Sequence, residues 1–172
     1  SGTHTLDVCE AITEVPAAKP EVVAAQIHDA SDDVLQIRLE GQKLMVQYDD
    51  GKSEQIIDPD YTLGTPYHLR IVAADSKVDV LYNSEKKAEL PLHGSGWYFK
   101  IGAYVQANGE SGDAKTVGAV AVHALNVDHG SGSGASATTE AATERSGARG
   151  RPRVRPAARR GRLPRTRTDA HG

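Results

Sequence analysis

Residues 97–108 read WYFKIGAYVQAN, and the fold is decided by how this stretch is read. Successive side chains of an extended chain point to opposite faces. Alternation therefore gathers Phe99, Ile101, Ala103, Val105 and Ala107 on one side, a plain core face. Tyr98, Lys100, Gly102, Tyr104, Gln106 and Asn108 fall on the other, a row of hydrogen-bonding side chains with a glycine gap at its centre. Such a row suits a sheet face that forms a polar groove. The alternative is an ordinary solvent-facing side of a sandwich. Tyr, Gln, Asn and one Lys offer stacking surface together with directional hydrogen bonds, as sugar recognition requires.

The same period of two runs outward in both directions. It is found in Thr5–Ile12, Val34–Glu40 and Lys77–Tyr82, and it predicts further strands over 21–28, 43–49, 67–74, 86–90 and 117–128. Turn residues separate them: Asp32-Asp33, Asp49-Asp50-Gly51, Asp58-Pro59-Asp60, His93-Gly94-Ser95-Gly96 and Asn108-Gly109. About nine short strands without a helix of useful length predict an all-β antiparallel β-sandwich or jelly roll.

Charge divides the chain of 172 residues in two. Lys and Arg number 20 and Asp and Glu 23, a formal net charge of −3. Residues 131–172 hold ten Arg and three acids, so 10 − 3 = +7; residues 1–130 keep the remaining ten basic residues and twenty acids, so 10 − 20 = −10. Beyond residue 130 the composition becomes Gly, Ser, Ala and Thr, then Arg and Pro, with Val154 and Leu163 as the large aliphatics. Such a segment cannot offset its ordering entropy by burial, so 131–172 is expected to be a disordered linker and tail. It could act as a polyanion-binding arm or simply be a non-specific tail, and it has no aromatics among its arginines to stack on bases. No apolar run approaches the roughly 20 residues a membrane helix needs. Cys9 is the single cysteine and cannot form an intrachain disulfide. The first residues, SGTHTLDV, carry no secretory signal pattern.

A second polar pair lies on the strand predicted over 21–28. Gln26 and His28 share one face, and Ala25 and Ile27 share the other. A lone strand histidine is more often incidental than catalytic. Gln and His two apart, where Tyr and Lys of a neighbouring strand can meet them, are a stronger signal. His4, His68, His93, His123 and His129 have no comparable neighbours in sequence, and their spacing suggests no metal site. A phosphate-binding glycine loop and a GxSxG elbow are also absent.

QIH at Gln26–His28 and YFKIGAYVQ at Tyr98–Gln106 resemble two of the three signature segments of the alginate lyases of polysaccharide lyase family 7. Tyr61-Thr62-Leu63-Gly64 and Leu125–His129 also resemble the C-terminal part of that family, and the resemblance spans nearly all of residues 1–129. It implies a jelly roll of two antiparallel sheets with the substrate in a concave groove, and an enzyme that cleaves alginate by β-elimination, without cofactor or metal. By the resemblance, Gln26 donates to the uronate carboxylate, His28 is the base or neutralising partner, and Tyr104 protonates the leaving oxygen. Lys100, Gln106, Tyr98 and Asn108 are then substrate contacts. Ile in QIH accompanies action on guluronate-containing blocks in this family. The resemblance further implies a secreted monomer whose partner is an acidic polysaccharide, not a membrane or a nucleic acid.

The third signature, an Arg-Thr/Ser-Glu-Leu/Val-Arg strand, is absent from residues 1–172. The jelly roll is accordingly expected to lack its N-terminal strands, and the Arg-bearing strand is expected beside Gln26 and His28. Two other classes stand against the lyase: a non-catalytic carbohydrate-binding jelly roll, and a polyanion-binding protein acting through its Arg-rich tail.

Overall fold

The computed structural model describes residues 2–106 and 116–130. The linker and tail over 131–172, the Asn108-Gly109 turn and the site candidate Asn108 lie outside the described residues. Ten strands follow one another: β1 (Thr3–Glu14), β2 (Glu21–His28), β3 (Asp33–Glu40), β4 (Lys43–Tyr48), β5 (Ser53–Asp58), β6 (Tyr67–Ala74), β7 (Lys77–Tyr82), β8 (Glu85–Leu90), β9 (Tyr98–Val105) and β10 (Ala119–Gly130). They form two five-stranded sheets, ordered β10-β1-β6-β7-β8 and β5-β4-β3-β2-β9, with antiparallel pairing throughout. The all-β antiparallel expectation therefore holds. Among the described residues no helix is long and apolar enough to cross a membrane.

Alternation accounts for the packing between the sheets. Leu6, Val8 and Ile12 of β1 meet the inward side chains Ala25 and Ile27 of β2 and Leu35, Ile37 and Leu39 of β3 in one core. All of these are at most 1% exposed. At roughly 25 cal/mol per Å2 of apolar surface removed from water, each of the Val, Leu and Ile side chains among them contributes about 1.5–3 kcal/mol of burial free energy. Tyr61, Tyr67 and Tyr82 close one side of this core as an aromatic cluster, with ring centroids 5.6 Å and 5.4 Å apart.

Sequence periodicity misses one strand and misplaces one residue. β5 reads SEQIID, with Ile56 and Ile57 adjacent rather than alternating. As a polar strand at a sheet edge, it is held by the ladder to β4 more than by apolar burial. Ala103 is exposed, not part of the core face. Among the described residues β9 is the end strand of its sheet, so nothing covers Ala103 from that side.

Candidate functional site

The ladder between β2 and β9 assembles the predicted residues. His28 lies opposite Tyr98, Gln26 opposite Lys100 and Val23 opposite Tyr104. Directly opposed residues project to the same face. Gln26, His28, Tyr98, Lys100 and Tyr104 thus share the outer face of the β5-β4-β3-β2-β9 sheet, as alternation predicts. Tyr98 and Tyr104 are 46% and 39% exposed, whereas Gln26 is 8% exposed between its neighbours.

Two irregularities shape this face. Between Val23 and Ala25, β2 gains a residue against β3, a bulge that keeps Gln26 and Val23 on one side although they are three apart. At Gly102 the backbone has φ +153°, a conformation that favours glycine, and a Cβ there would lie 3.6 Å from Tyr104 Cε2 and 3.9 Å from its Oη. The Tyr104 ring therefore leans back over Gly102, which carries its hydroxyl toward the Gln26–Lys100 row.

The hydrogen bonds of His28 set its tautomer. Its Nδ1 is 2.6 Å from the carbonyl oxygen of Asp29 and 3.2 Å from Tyr98 Oη. A carbonyl only accepts, so the neutral ring carries its proton on Nδ1 and keeps the Nε2 lone pair for a proton from elsewhere. The carbonyl is itself fixed by a turn: Asp29 Oδ1 accepts from Asp32 N at 2.9 Å and from Ser31 N and Oγ, both at 2.8 Å. These donors, the Asp32 amide foremost, hold the Asp29 carboxyl down at about 2. Lys100 Nζ sits 5.4 Å from the centre of the Tyr98 ring, whose centroid is 5.5 Å from that of His28.

Gln106 follows the end of β9, and its Nε2 donates to the Tyr104 carbonyl at 3.4 Å, so its amide is turned back onto its own strand. Sequence reasoning also passed over several groups on this face. Gln36 pairs with Gln26, and Gln47 pairs with Gln36, extending the row into Lys100, Gln26, Gln36, Gln47. Gln36 Oε1 is buried without a hydrogen-bond partner. The alternation of Val34–Glu40 held the signal, since it sets Gln36 and Arg38 opposite Leu35 and Ile37. Arg38 lies in the Tyr104–Val23 row and puts a guanidinium on the face. It is already engaged: it pairs with Glu21, its NH1 donates to Gln47 Oε1 at 3.3 Å, and its Nε stands 2.7 Å from Glu40 Oε1 without hydrogen-bond alignment.

The expected Arg-bearing strand cannot pair beside Gln26 and His28, because β2 already has β3 on one side and β9 on the other. Among the described residues, β9 and β5 are the edges of this sheet. No cluster of three or more metal-ligating side chains occurs among the described residues.

A two-layer antiparallel sandwich thus carries a strip of amides, imidazole, phenols and one ammonium on an open sheet face. The comparisons give the family. The alginate lyase family model matches residues 1–129, and the chain belongs to that family. Among solved structures it is similar to the alginate lyase AlgAT5 from polysaccharide lyase family 7, with 43% identity and a TM-score of 0.72, over 75% of this chain and 60% of that one. It is also similar to an alginate lyase from Corynebacterium sp., with 38% identity and a TM-score of 0.71, over 75% of this chain and 59% of the other. The chain thus spans about three-fifths of the length of these two relatives. No curated protein matches it.

Proposed function

We propose that the β2–β9 face is the catalytic strip of an alginate lyase that cleaves guluronate-containing blocks by β-elimination, without cofactor or metal. The observation that carries this reading is the convergence of Gln26, His28, Lys100 and Tyr104 on one face. The chemistry asks for these residue types. A base takes the C5 proton, the electron pair forms the C4–C5 double bond, the C4–O4 bond breaks, and O4 leaves with a proton from an acid. The C5 proton is weakly acidic, so donors must meet the charge that develops on the adjacent carboxylate.

In this reading Gln26 donates its amide to that carboxylate, and Lys100 holds a neighbouring one. His28 receives the C5 proton at Nε2, the atom left bare by the Nδ1 contact with Asp29. Tyr104 gives its phenolic proton to O4. Proton and leaving group lie on opposite sides of guluronate, which suits a base and an acid on different strands. Tyr98 and Gln106 contact flanking sugars, with Asn108 as a further contact outside the described residues. The protein is a secreted monomer.

The test is the ultraviolet absorbance of the unsaturated product when the protein meets alginate. Tyr104→Phe keeps the ring and removes the proton; an unchanged rate in that variant sinks the mechanism. A second reading, a binding module without turnover, is favoured by the engagement of Arg38 with Glu21 and Glu40, which leaves the face short of free cationic charge. It expects retention on immobilised alginate with no absorbance gain, whatever occupies position 104.

A further inference from the structure

The first and last strands of the described fold meet at two histidines. His4 of β1 and His129 of β10 stand directly opposite each other in the antiparallel ladder, 125 residues apart in sequence. Their Nδ1 atoms are 3.0 Å apart and their ring centroids 5.2 Å apart, near the surface. His4 faces Ala73 on its other neighbour, β6, so no cation crowds it from that strand. Both rings line a cavity of about 110 Å3 together with Trp97 and Tyr98.

We propose that His4 and His129 form a two-imidazole site for a divalent transition-metal ion of the copper(II) or nickel(II) class. The bite distance argues for it. Two nitrogens each about 2.0–2.1 Å from one ion stand about 2.9 Å apart at a right angle and about 3.4 Å apart at a tetrahedral angle. A separation of 3.0 Å fits cis positions of a square or octahedral ion, the preference of copper(II) and nickel(II), better than tetrahedral zinc. In the metal-free protein the contact is a hydrogen bond from one Nδ1–H to the other lone pair. Metal binding moves that single proton to Nε2 of the same ring, so that both Nδ1 atoms become ligands in neutral rings. Water completes the coordination, since no third protein ligand converges there among the described residues. Residues 1–130 supply the field, with twenty acids against ten basic groups. The ion bridges the edge strand β10 to β1 and therefore stabilises the fold that binds it. The site is independent of the lyase reading.

Trp97 is the single tryptophan of the chain and shares the cavity, so it reports occupancy directly. The experiment titrates the untagged full chain with copper(II) at neutral pH. It follows Trp97 fluorescence, the thermal midpoint and the electron paramagnetic resonance of the bound ion. The expected result is saturable quenching at one ion per chain, a midpoint raised by roughly 5–10 °C at a hundredfold excess over Kd, and a copper signal split by two imidazole nitrogens. His4→Ala and His129→Ala should each weaken binding at least tenfold, while His93→Ala leaves it unchanged. Undiminished quenching in either variant, or a wild-type spectrum without two imidazole nitrogens, overturns the proposal. The spectrum needs no variant, so it decides the matter even if a substitution disturbs folding.

Discussion

Two polar side chains are buried on different sheets of this sandwich, with opposite consequences. Gln26 of β2 is 8% exposed, yet it belongs to a sheet face on which Tyr98 and Tyr104 stand open to solvent. Glu10 of β1 is fully buried on the same side of its strand as Leu6, Val8 and Ile12, and it points into the core. Tyr67 donates to Glu10 Oε1 at 2.8 Å, and Oε2 has no partner. Burial pushes the Glu10 carboxyl up to about 7, although the Tyr67 hydroxyl opposes the shift. Burial and the nearby Glu10 raise the Tyr67 phenol well above its usual range, so it stays protonated and remains the donor. A polar group at an open face is available to a ligand, whereas one in the core expresses itself only as stability. Activity and stability should therefore separate by region.

The largest effect expected is on the open face. Tyr104→Phe should lower elimination by about 10²–10⁴-fold, the usual worth of a positioned proton donor. Its thermal midpoint should stay within about 2 °C of wild type, because Tyr104 is an exposed side chain. A matching fall in stability would blur the contrast and recast Tyr104 as structural.

Glu10 supplies the opposite case. Its folded value of about 7 lies above the ordinary 4.5, so the native state binds more protons between these limits. Stability is then fullest below pH 4.5 and declines as pH rises toward 7, by roughly 3 kcal/mol in all. Glu10→Gln keeps an acceptor for Tyr67 and removes the charge. It should flatten this decline and raise the stability at pH 8 in urea unfolding, while kcat at pH 8 is unchanged. A wild-type decline that persists in the variant would assign it to another group.

Gly102 joins the two effects on one residue. Gly102→Ala forces a Cβ onto φ +153°, a strain of about 1–3 kcal/mol. The added carbon makes only ordinary contact with the Tyr104 ring at 3.6 Å, so the backbone bears the cost. Relief by local movement would shift Tyr104, and kcat should fall more than KM rises. Unchanged kinetics with reduced stability would show that the ring does not depend on this glycine.

How much of this was legible in the sequence follows from the range over which each feature is determined. Alternation is local, so the polar face of 97–108, the Gln26–His28 pair and even the inward parity of Glu10 can be read from single strands. β5 escaped because an edge strand needs little apolar pattern. The bulge that places Val23 escaped because it exists only as a mismatch between two strands, and the exposure of Ala103 escaped because it depends on β9 ending its sheet. The engagement of Arg38 requires β2 and β3 to pair, and the His4–His129 contact requires the first and last described strands to meet. Local parity finds the candidates; pairing decides which of them are free to act.

The smallest effect tests that last distinction at His28. Asp29 takes no direct part in the proposed elimination, but its turn holds the carbonyl that receives His28 Nδ1–H. Asp29→Ala removes the acceptor for the Asp32 and Ser31 donors. The carbonyl should then wander, and the ring should divide between its two tautomers. A severalfold loss in kcat is expected, with KM little changed, because only the proton-accepting fraction of His28 is reduced. Nitrogen NMR reads the cause directly: Nδ1 carries the proton in the wild type, and the variant shows averaging with Nε2. Acid titration supplies the sign. The Asp29 carboxyl sits at about 2, below its ordinary 3.8, so its turn is intact above 3.8 and is lost as pH falls through about 2. At neutral pH the turn is therefore fully formed, and pH cannot mimic the substitution. If the tautomer balance of His28 is the same in Asp29→Ala as in wild type, the strand alone orients the ring, and the turn has no share in the site.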